Sequence, residues 1–342
     1  MEEDMIRRKA ELILGGAVRT PQDWRPPVRI SRSTAGPGAG TRGLVFRFSG
    51  MRVKKPISSE DGEFELQPYD GGLRILRDGE VFIDPVEIEP VIYHSPGQAF
   101  FNLDQRCDYH CLFCTSPSLG TEATKNLTPE SISDMVAEAS ERDDFVSVAL
   151  TSGVVGSVEA TVERMVRTVS LIRERIPWVT IGVEPYVENE EQLWDLRDAG
   201  ADEMKINIET PDADIFAKVC PELDHANIHR MIEAAVDIFG RGKVSSNIII
   251  GLGESDEQVI EEVRRLADIG CAAGLRPLKV NDSNRSVLEN ALGTLNDVDA
   301  DRLIRLGREQ KSILEEHGLD TRTYSTMCFE CGCCDLVPFK DF

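Results

Sequence analysis

Nine cysteines occur in 342 residues, and seven of them fall into two tight groups. The first group is Cys107, Cys111 and Cys114; the second is Cys328, Cys331, Cys333 and Cys334. Clusters like these in a reducing compartment read as metal or iron–sulfur ligands, not as disulfides. Three thiolates within eight residues can wrap one corner of a [4Fe–4S] cluster and leave the fourth iron open. A zinc site is the rival; it wants four ligands, and His110 is the nominal fourth. Four thiols within seven residues repel one another as thiolates and oxidise easily, so the second group also calls for a metal. The adjacency of Cys333 and Cys334 is awkward around one tetrahedral zinc and favours iron–sulfur, with three or four of the cysteines as ligands. Asp335 and Arg322 are candidates to complete a cluster held by three. The isolated Cys220 and Cys271 read as packed core residues.

The run Cys107-Asp108-Tyr109-His110-Cys111-Leu112-Phe113-Cys114 has C-x3-C-x-aromatic-C spacing. It closely resembles the signature of the radical S-adenosylmethionine superfamily. The resemblance implies that the open iron chelates the amino and carboxylate groups of S-adenosylmethionine. One electron then cleaves that cofactor to a 5′-deoxyadenosyl radical, which abstracts a substrate hydrogen atom. It further implies that Phe113 lies beside the adenine and that Ser152 and Gly153, in Thr151-Ser152-Gly153, meet the methionine amino group. Asn207 and Glu209, in Asn207-Ile208-Glu209-Thr210, are expected to hold the ribose hydroxyls, as in the similar segment of biotin and lipoyl synthases. Arg230 is expected to pair with the methionine carboxylate. Ile249, Gly251 and Glu254 form the adenine side, although Asn247 stands where the pattern has glycine. The bland readings are a strand-end turn, a helix cap near Asp212 and a solvated arginine; the order of the motifs argues against them.

In the biotin and lipoyl synthase branch an auxiliary cluster supplies sulfur, but its ligands lie inside or before the barrel. Here the extra cysteines come after it, which better resembles an archaeal two-protein lipoyl synthase component. The resemblance thus implies sulfur insertion at unactivated carbon, with a second [4Fe–4S] cluster in the tail. It also implies a ferredoxin- or flavodoxin-like electron donor, a lipoyl-domain carrier protein and a paired radical enzyme as partners. The alternatives are rearrangement, dehydrogenation or methylation with the tail cluster relaying electrons, and a non-enzymatic electron carrier. A carrier would not need the nucleoside site of Asn207, Glu209 and Arg230.

The elements that must position these residues are legible in the periodicity. Residues 1–95 read as a leading module, with a helix over 2–14 stopped by Gly15-Gly16 and strands joined by a hairpin at Asp78-Gly79. Residues 96–285 alternate strands at 98–104, 145–151, 179–186, 203–208, 244–251 and 275–280 with helices at 128–141, 158–175, 189–199, 225–240 and 255–269. About six such units imply an α/β fold with a parallel sheet curling into a partial (βα)6 TIM-like barrel, whose chemistry gathers at the C-terminal strand ends. Residues 286–342 carry a helix over 298–317 and the second cysteine group.

Composition narrows the function further. The chain is 41% hydrophobic and 29% charged, with a formal net charge of −22. That charge argues against nucleic acid, including a zinc-dependent nucleic-acid module, and against anionic membranes. The apolar runs are far shorter than the ~18 residues a membrane span needs. Met1-Glu2-Glu3-Asp4 is acidic where a secretory signal is basic, so a cytoplasmic location is expected.

Overall fold

The computed structural model describes residues 2–33, 36–38, 40–120, 127–293, 295 and 298–342. Its first helix, α1 (Glu2–Leu14), buries Ile6, Ala10, Leu12 and Ile13. Seven strands follow: β1 (Val18–Arg19), β2 (Ser31–Arg32), β3 (Arg42–Phe48), β4 (Met51–Ser58), β5 (Phe64–Tyr69), β6 (Gly72–Arg77) and β7 (Glu80–Glu89). They form one sheet in the order β2-β3-β4-β1-β5-β6-β7, and a β3–β7 pairing closes it on itself. The expected hairpins are therefore parts of a small closed sheet around Phe46, Phe64, Leu66, Ile75 and Ile83. The keystone is β1, two residues long and parallel to both β4 and β5, too short to leave a periodic signal. The turn between β6 and β7 has positive φ at both Asp78 and Gly79, the backbone that a two-residue hairpin with this twist requires.

From residue 98 onward the chain builds an α/β half-barrel. Its strands are β8 (Gln98–Asn102), β9 (Ser147–Thr151), β10 (Thr180–Glu184), β11 (Glu203–Lys205), β12 (Val244–Ile250) and β13 (Cys271–Pro277). All five pairings are parallel, and spatial order follows chain order. The crossovers carry α2 (Pro129–Ala139), α3 (Val158–Arg175), α4 (Glu190–Ala199), α5 (Ala213–Val219), α6 (His225–Phe239) and α7 (Asp256–Ile269). Their ends follow local chemistry. Thr128 caps α2 ahead of Pro129, a Ser255–Gln258 capping box opens α7, and Gly200 ends α4 in the left-handed region.

Two strand assignments need correction. The last strand begins at Cys271, four residues before the expected 275, because Cys271-Ala272-Ala273-Gly274 has little intrinsic strand preference and is held by burial. The fourth pairs only through Lys205; residues 206–209 continue beyond it and touch β12 again at Glu209–Ile248.

After α8 (Arg285–Leu292) and α9 (Ala300–Glu316), the tail turns back and enters the barrel from the N-terminal ends of the strands. The Tyr324 hydroxyl donates to the Val244 carbonyl at 2.8 Å, and Ser147 Oγ to the Ser325 carbonyl at 2.6 Å. Glu203 accepts from the Ser325 and Thr326 amides, each at 3.1 Å, and Gln98 Nε2 donates to the Met327 carbonyl at 3.1 Å. A small residue makes the room: a Cβ on Gly182 would collide with Thr326 Oγ1. The short helix α10 (Met327–Cys331) thereby carries the second cysteine group into the barrel floor. The leading module then clasps it, with the Lys54 amide on the Cys333 carbonyl at 2.9 Å and Lys9 Nζ on the Gly332 carbonyl at 2.9 Å. No helix among the described residues is long and apolar enough to cross a membrane.

Candidate active site and the tail cysteines

The first cysteine loop hangs from the C-terminal end of β8. Its backbone is pinned to the end of β9 by the Gly153 amide on the Asp104 carbonyl (2.8 Å) and the Asp108 amide on the Val154 carbonyl (2.7 Å). Gly153 is required by this approach, since a Cβ there would collide with the Arg106 carbonyl oxygen. The Val154 amide points at Cys107 Sγ (3.4 Å) and the Ser116 amide at Cys114 Sγ (3.5 Å). Burial pushes the Cys107 and Cys114 thiols up, and these amides pull the other way by favouring thiolate. Cys220, fully buried, meets Cys111 through a side-chain hydrogen bond that raises its pKa, and it feels Glu209 as well. The core residue expected at 220 thus links the cysteine loop to the segment around Glu209. Among the described residues, no three His, Cys, Asp or Glu side chains converge as one metal ion would need.

The structure brings Asn207 and Glu209 together beyond β11. Asn207 Oδ1 accepts from the Asn247 backbone amide at 3.2 Å. Glu209 takes a positive φ, rare for a residue with a side chain, and its backbone bonds to Asn247 and Ile249 hold it there. Burial raises its carboxyl to about 7. Ile249 packs beside it, 8% exposed. Phe113 is buried under its own loop, which Asn284 Nδ2 ties down through the Phe113 carbonyl at 3.2 Å. The Ser152 hydroxyl donates to the Gly153 carbonyl at 2.8 Å.

Two further expected contacts have protein partners in this structure. Glu254 spends its carboxylate on the amides of Gly251, Leu252 and Gly253 (2.6, 2.9 and 3.1 Å) and on Arg302 at 3.0 Å, so it holds the turn. The positive φ values of Gly251 and Gly253 belong to that turn. Arg230 lies exposed on α6, donating to Asn227 Oδ1 at 2.6 Å, on the outer rim.

Beneath Asn207 lies a polar lumen that the motifs do not announce. Glu203, Lys205, Asn207 and Glu209 alternate with Met204, Ile206 and Ile208, a period of two in a strand otherwise buried on both faces. That alternation is the available signal. Lys205 Nζ donates to Glu184 Oε1 at 2.8 Å and to Cys328 Sγ at 3.3 Å, and Asn207 Nδ2 donates to the same Glu184 oxygen at 3.0 Å. Burial opposes the Lys205 charge, but Cys328 and Glu184 outweigh it and the pKa rises. Burial likewise opposes ionised Glu184, and Lys205 and Asn207 bring it below the usual range. Arg276 pairs with Asp335 at 3.2 Å and feels Cys328 and Cys334, while Lys54 and Arg52 face Cys331 and Cys333. A hydrogen bond from Cys333 leads in lowering Cys331 to about 7 against burial. Four thiols enclosed by four cations suit a buried anionic cluster, whose charge must be matched locally. Arg322, by contrast, is exposed and paired with Asp320 at 2.6 Å.

The half-barrel, its cysteine loop and the segment from Asn207 to Thr210 define the class. Residues 102–266 match the Radical SAM superfamily, so the chain carries a radical SAM domain. Among curated proteins it is similar to the lipoyl synthase of Caldanaerobacter subterraneus subsp. tengcongensis, 25% identical over 175 residues, or 50% of this chain and 60% of that protein. The match therefore spans less than two thirds of the relative. Among solved structures, methylornithine synthase (PylB) aligns with a TM-score of 0.51 at 17% identity, over 65% of this chain and 69% of its own. The hydrogenase maturase HydG from Carboxydothermus hydrogenoformans gives 0.53 at 15%, over 64% and 52%. Both likenesses concern the fold.

Proposed function

We propose that the protein is a radical S-adenosylmethionine enzyme that inserts sulfur at an unactivated carbon. The observation that carries this reading is the placement of Cys328 inside the barrel, joined through Lys205 and Glu184 to Asn207. When bound, the first cluster with S-adenosylmethionine supplies a hydrogen-abstracting carbon radical, and the tail cluster supplies sulfide. The chain's own residues set the stage. Cys107, Cys111 and Cys114 would hold the first cluster, and Asn207 and Glu209 orient the nucleoside by donating to and accepting from its hydroxyls. Glu203 and the Ser325–Met327 segment seal the lumen floor, keeping water from the reacting carbon. Lys205 and Arg276 compensate the charge of the tail thiolates.

The lipoyl synthase relative supports an octanoyl-lysine on a small carrier protein as substrate, with a ferredoxin- or flavodoxin-like donor and a paired radical enzyme as further partners. A net charge of −22 means that the docking face on the carrier is not acidic. The test is anaerobic turnover of an octanoyl-lysine peptide. Cys114→Ala should abolish S-adenosylmethionine cleavage, whereas Cys331→Ala should retain cleavage and lose the thiolated product. Normal product formation by Cys331→Ala would end the sulfur-donor reading.

A further inference from the structure

Which groups hold the tail cluster is decided by what surrounds each thiol. Cys328, Cys331 and Cys334 keep the C-x2-C-x2-C spacing with which ferredoxin loops give three irons of one cubane their ligands. Cys333 breaks that spacing. Its thiol is engaged with Cys331, whose thiol it lies against and whose carbonyl it meets at 3.3 Å; its own carbonyl is taken by the Lys54 amide, and among nearby cations it feels Lys9 of the leading module. Asp335 is oriented the other way. It is 3% exposed, its Oδ1 accepts from Arg276 at 3.2 Å, and its Oδ2 is buried with no hydrogen-bond partner among the described residues. Both Cys328 and Cys331 feel the Asp335 charge, and Arg276 feels Asp335, Cys328 and Cys334 together. An orphaned carboxylate oxygen inside a protein is costly and calls for a ligand.

We propose that the tail cluster is held by Cys328, Cys331 and Cys334 and, at its fourth iron, by the Asp335 carboxylate, with Cys333 outside the ligand set. This rests on the iron–sulfur reading of the tail. Arg276 is then a positioning residue that turns Oδ2 toward the cluster by holding Oδ1. Oxygen is a harder ligand than thiolate and binds a soft centre less tightly, so the corner at Asp335 is the exchangeable one.

The test uses the full chain with Cys107, Cys111 and Cys114 all changed to Ala, reconstituted anaerobically with iron and sulfide. About four irons should remain, and Mössbauer spectra should show about one iron in four distinct from the rest. Asp335→Cys should merge that distinct iron with the others, and Cys333→Ser should leave both iron content and spectrum unchanged. Asp335→Cys keeps an anionic ligand against Arg276, so this variant, unlike Asp335→Ala, does not strand a buried guanidinium. Loss of iron in Cys333→Ser, with an unaltered spectrum in Asp335→Cys, would make Cys333 the fourth ligand and overturn the assignment. A triple-Ala chain that binds no iron would instead overturn the iron–sulfur reading of the tail, and this proposal with it.

Discussion

Glu209 carries the most informative side chain at the residue scale. Its carboxyl sits at about 7 in the folded chain because burial disfavours the charge, against 4.5 for an unperturbed glutamate. Between those values the folded state holds a proton that the unfolded state has released, so this group's contribution to stability falls as pH rises through the window. Ribose hydroxyls that donate to Glu209 favour the ionised form, so the ligand works in the opposite direction. Affinity for S-adenosylmethionine, measured by anaerobic calorimetry, should fall roughly tenfold per pH unit below about 7, with one proton released on binding well below that pH. Glu209→Gln should bind weakly and independently of pH over that range. An unchanged slope in Glu209→Gln would remove the carboxylate from the nucleoside site.

Among the elements, the tail helix and the strand that admits it form a matched pair. Gly182 is glycine because Thr326 occupies the space its side chain would need. Gly182→Ala should push the tail out of the lumen at a cost of about 1–3 kcal/mol. The cysteine-labelling rate on apo protein should then rise roughly tenfold at Cys333, which is buried in the parent. The double variant Gly182→Ala/Thr326→Gly should restore protection; if it labels as fast as Gly182→Ala, the contact is not what seats the tail.

This pairing also marks the limit of what the amino-acid order discloses. The strands that end at Asn102 and Thr151 and the loop between Cys107 and Cys114 are local patterns, so the half-barrel and its first cysteine group can be read directly. The carboxylate of Glu254 is hard to assign from sequence because a turn-holding role and a ligand-facing role use the same residue in the same place. The seat of Cys328 depends on contacts with Lys205 and Asn247, 123 and 81 residues away. No periodicity encodes such contacts. Their one trace is the polar alternation from Glu203 to Glu209, visible once a strand there is granted.

At the level of the whole molecule, the leading module and the tail are fastened by a buried ion pair. Lys9 Nζ lies 2.7 Å from Asp341 Oδ2, with side chains 1% and 3% exposed, and the Val337 amide donates to the same oxygen. Lys9→Met leaves the Asp341 charge buried without its cation and should cost about 3–5 kcal/mol in urea unfolding. Lys9→Met/Asp341→Leu should recover most of that loss, because removing both charges also removes the desolvation cost. A loss under about 1 kcal/mol for Lys9→Met would mean the pair is not what fastens the module.

Threading the barrel with Tyr324–Cys334 has a consequence for synthesis. The ribosome completes all six barrel strands before it releases the segment that fills them; the hydroxyl of Ser147 meets its partner at Ser325, 178 residues later. Until then the nascent half-barrel holds a hollow lined with Lys205, Glu184 and Arg276 and open to water. Contacts of such long sequence separation form late and slowly. On the proposed reading of the tail, the seating of this segment therefore also limits access to the second cysteine group, so metal would have to arrive before the segment seats or through a later opening of it.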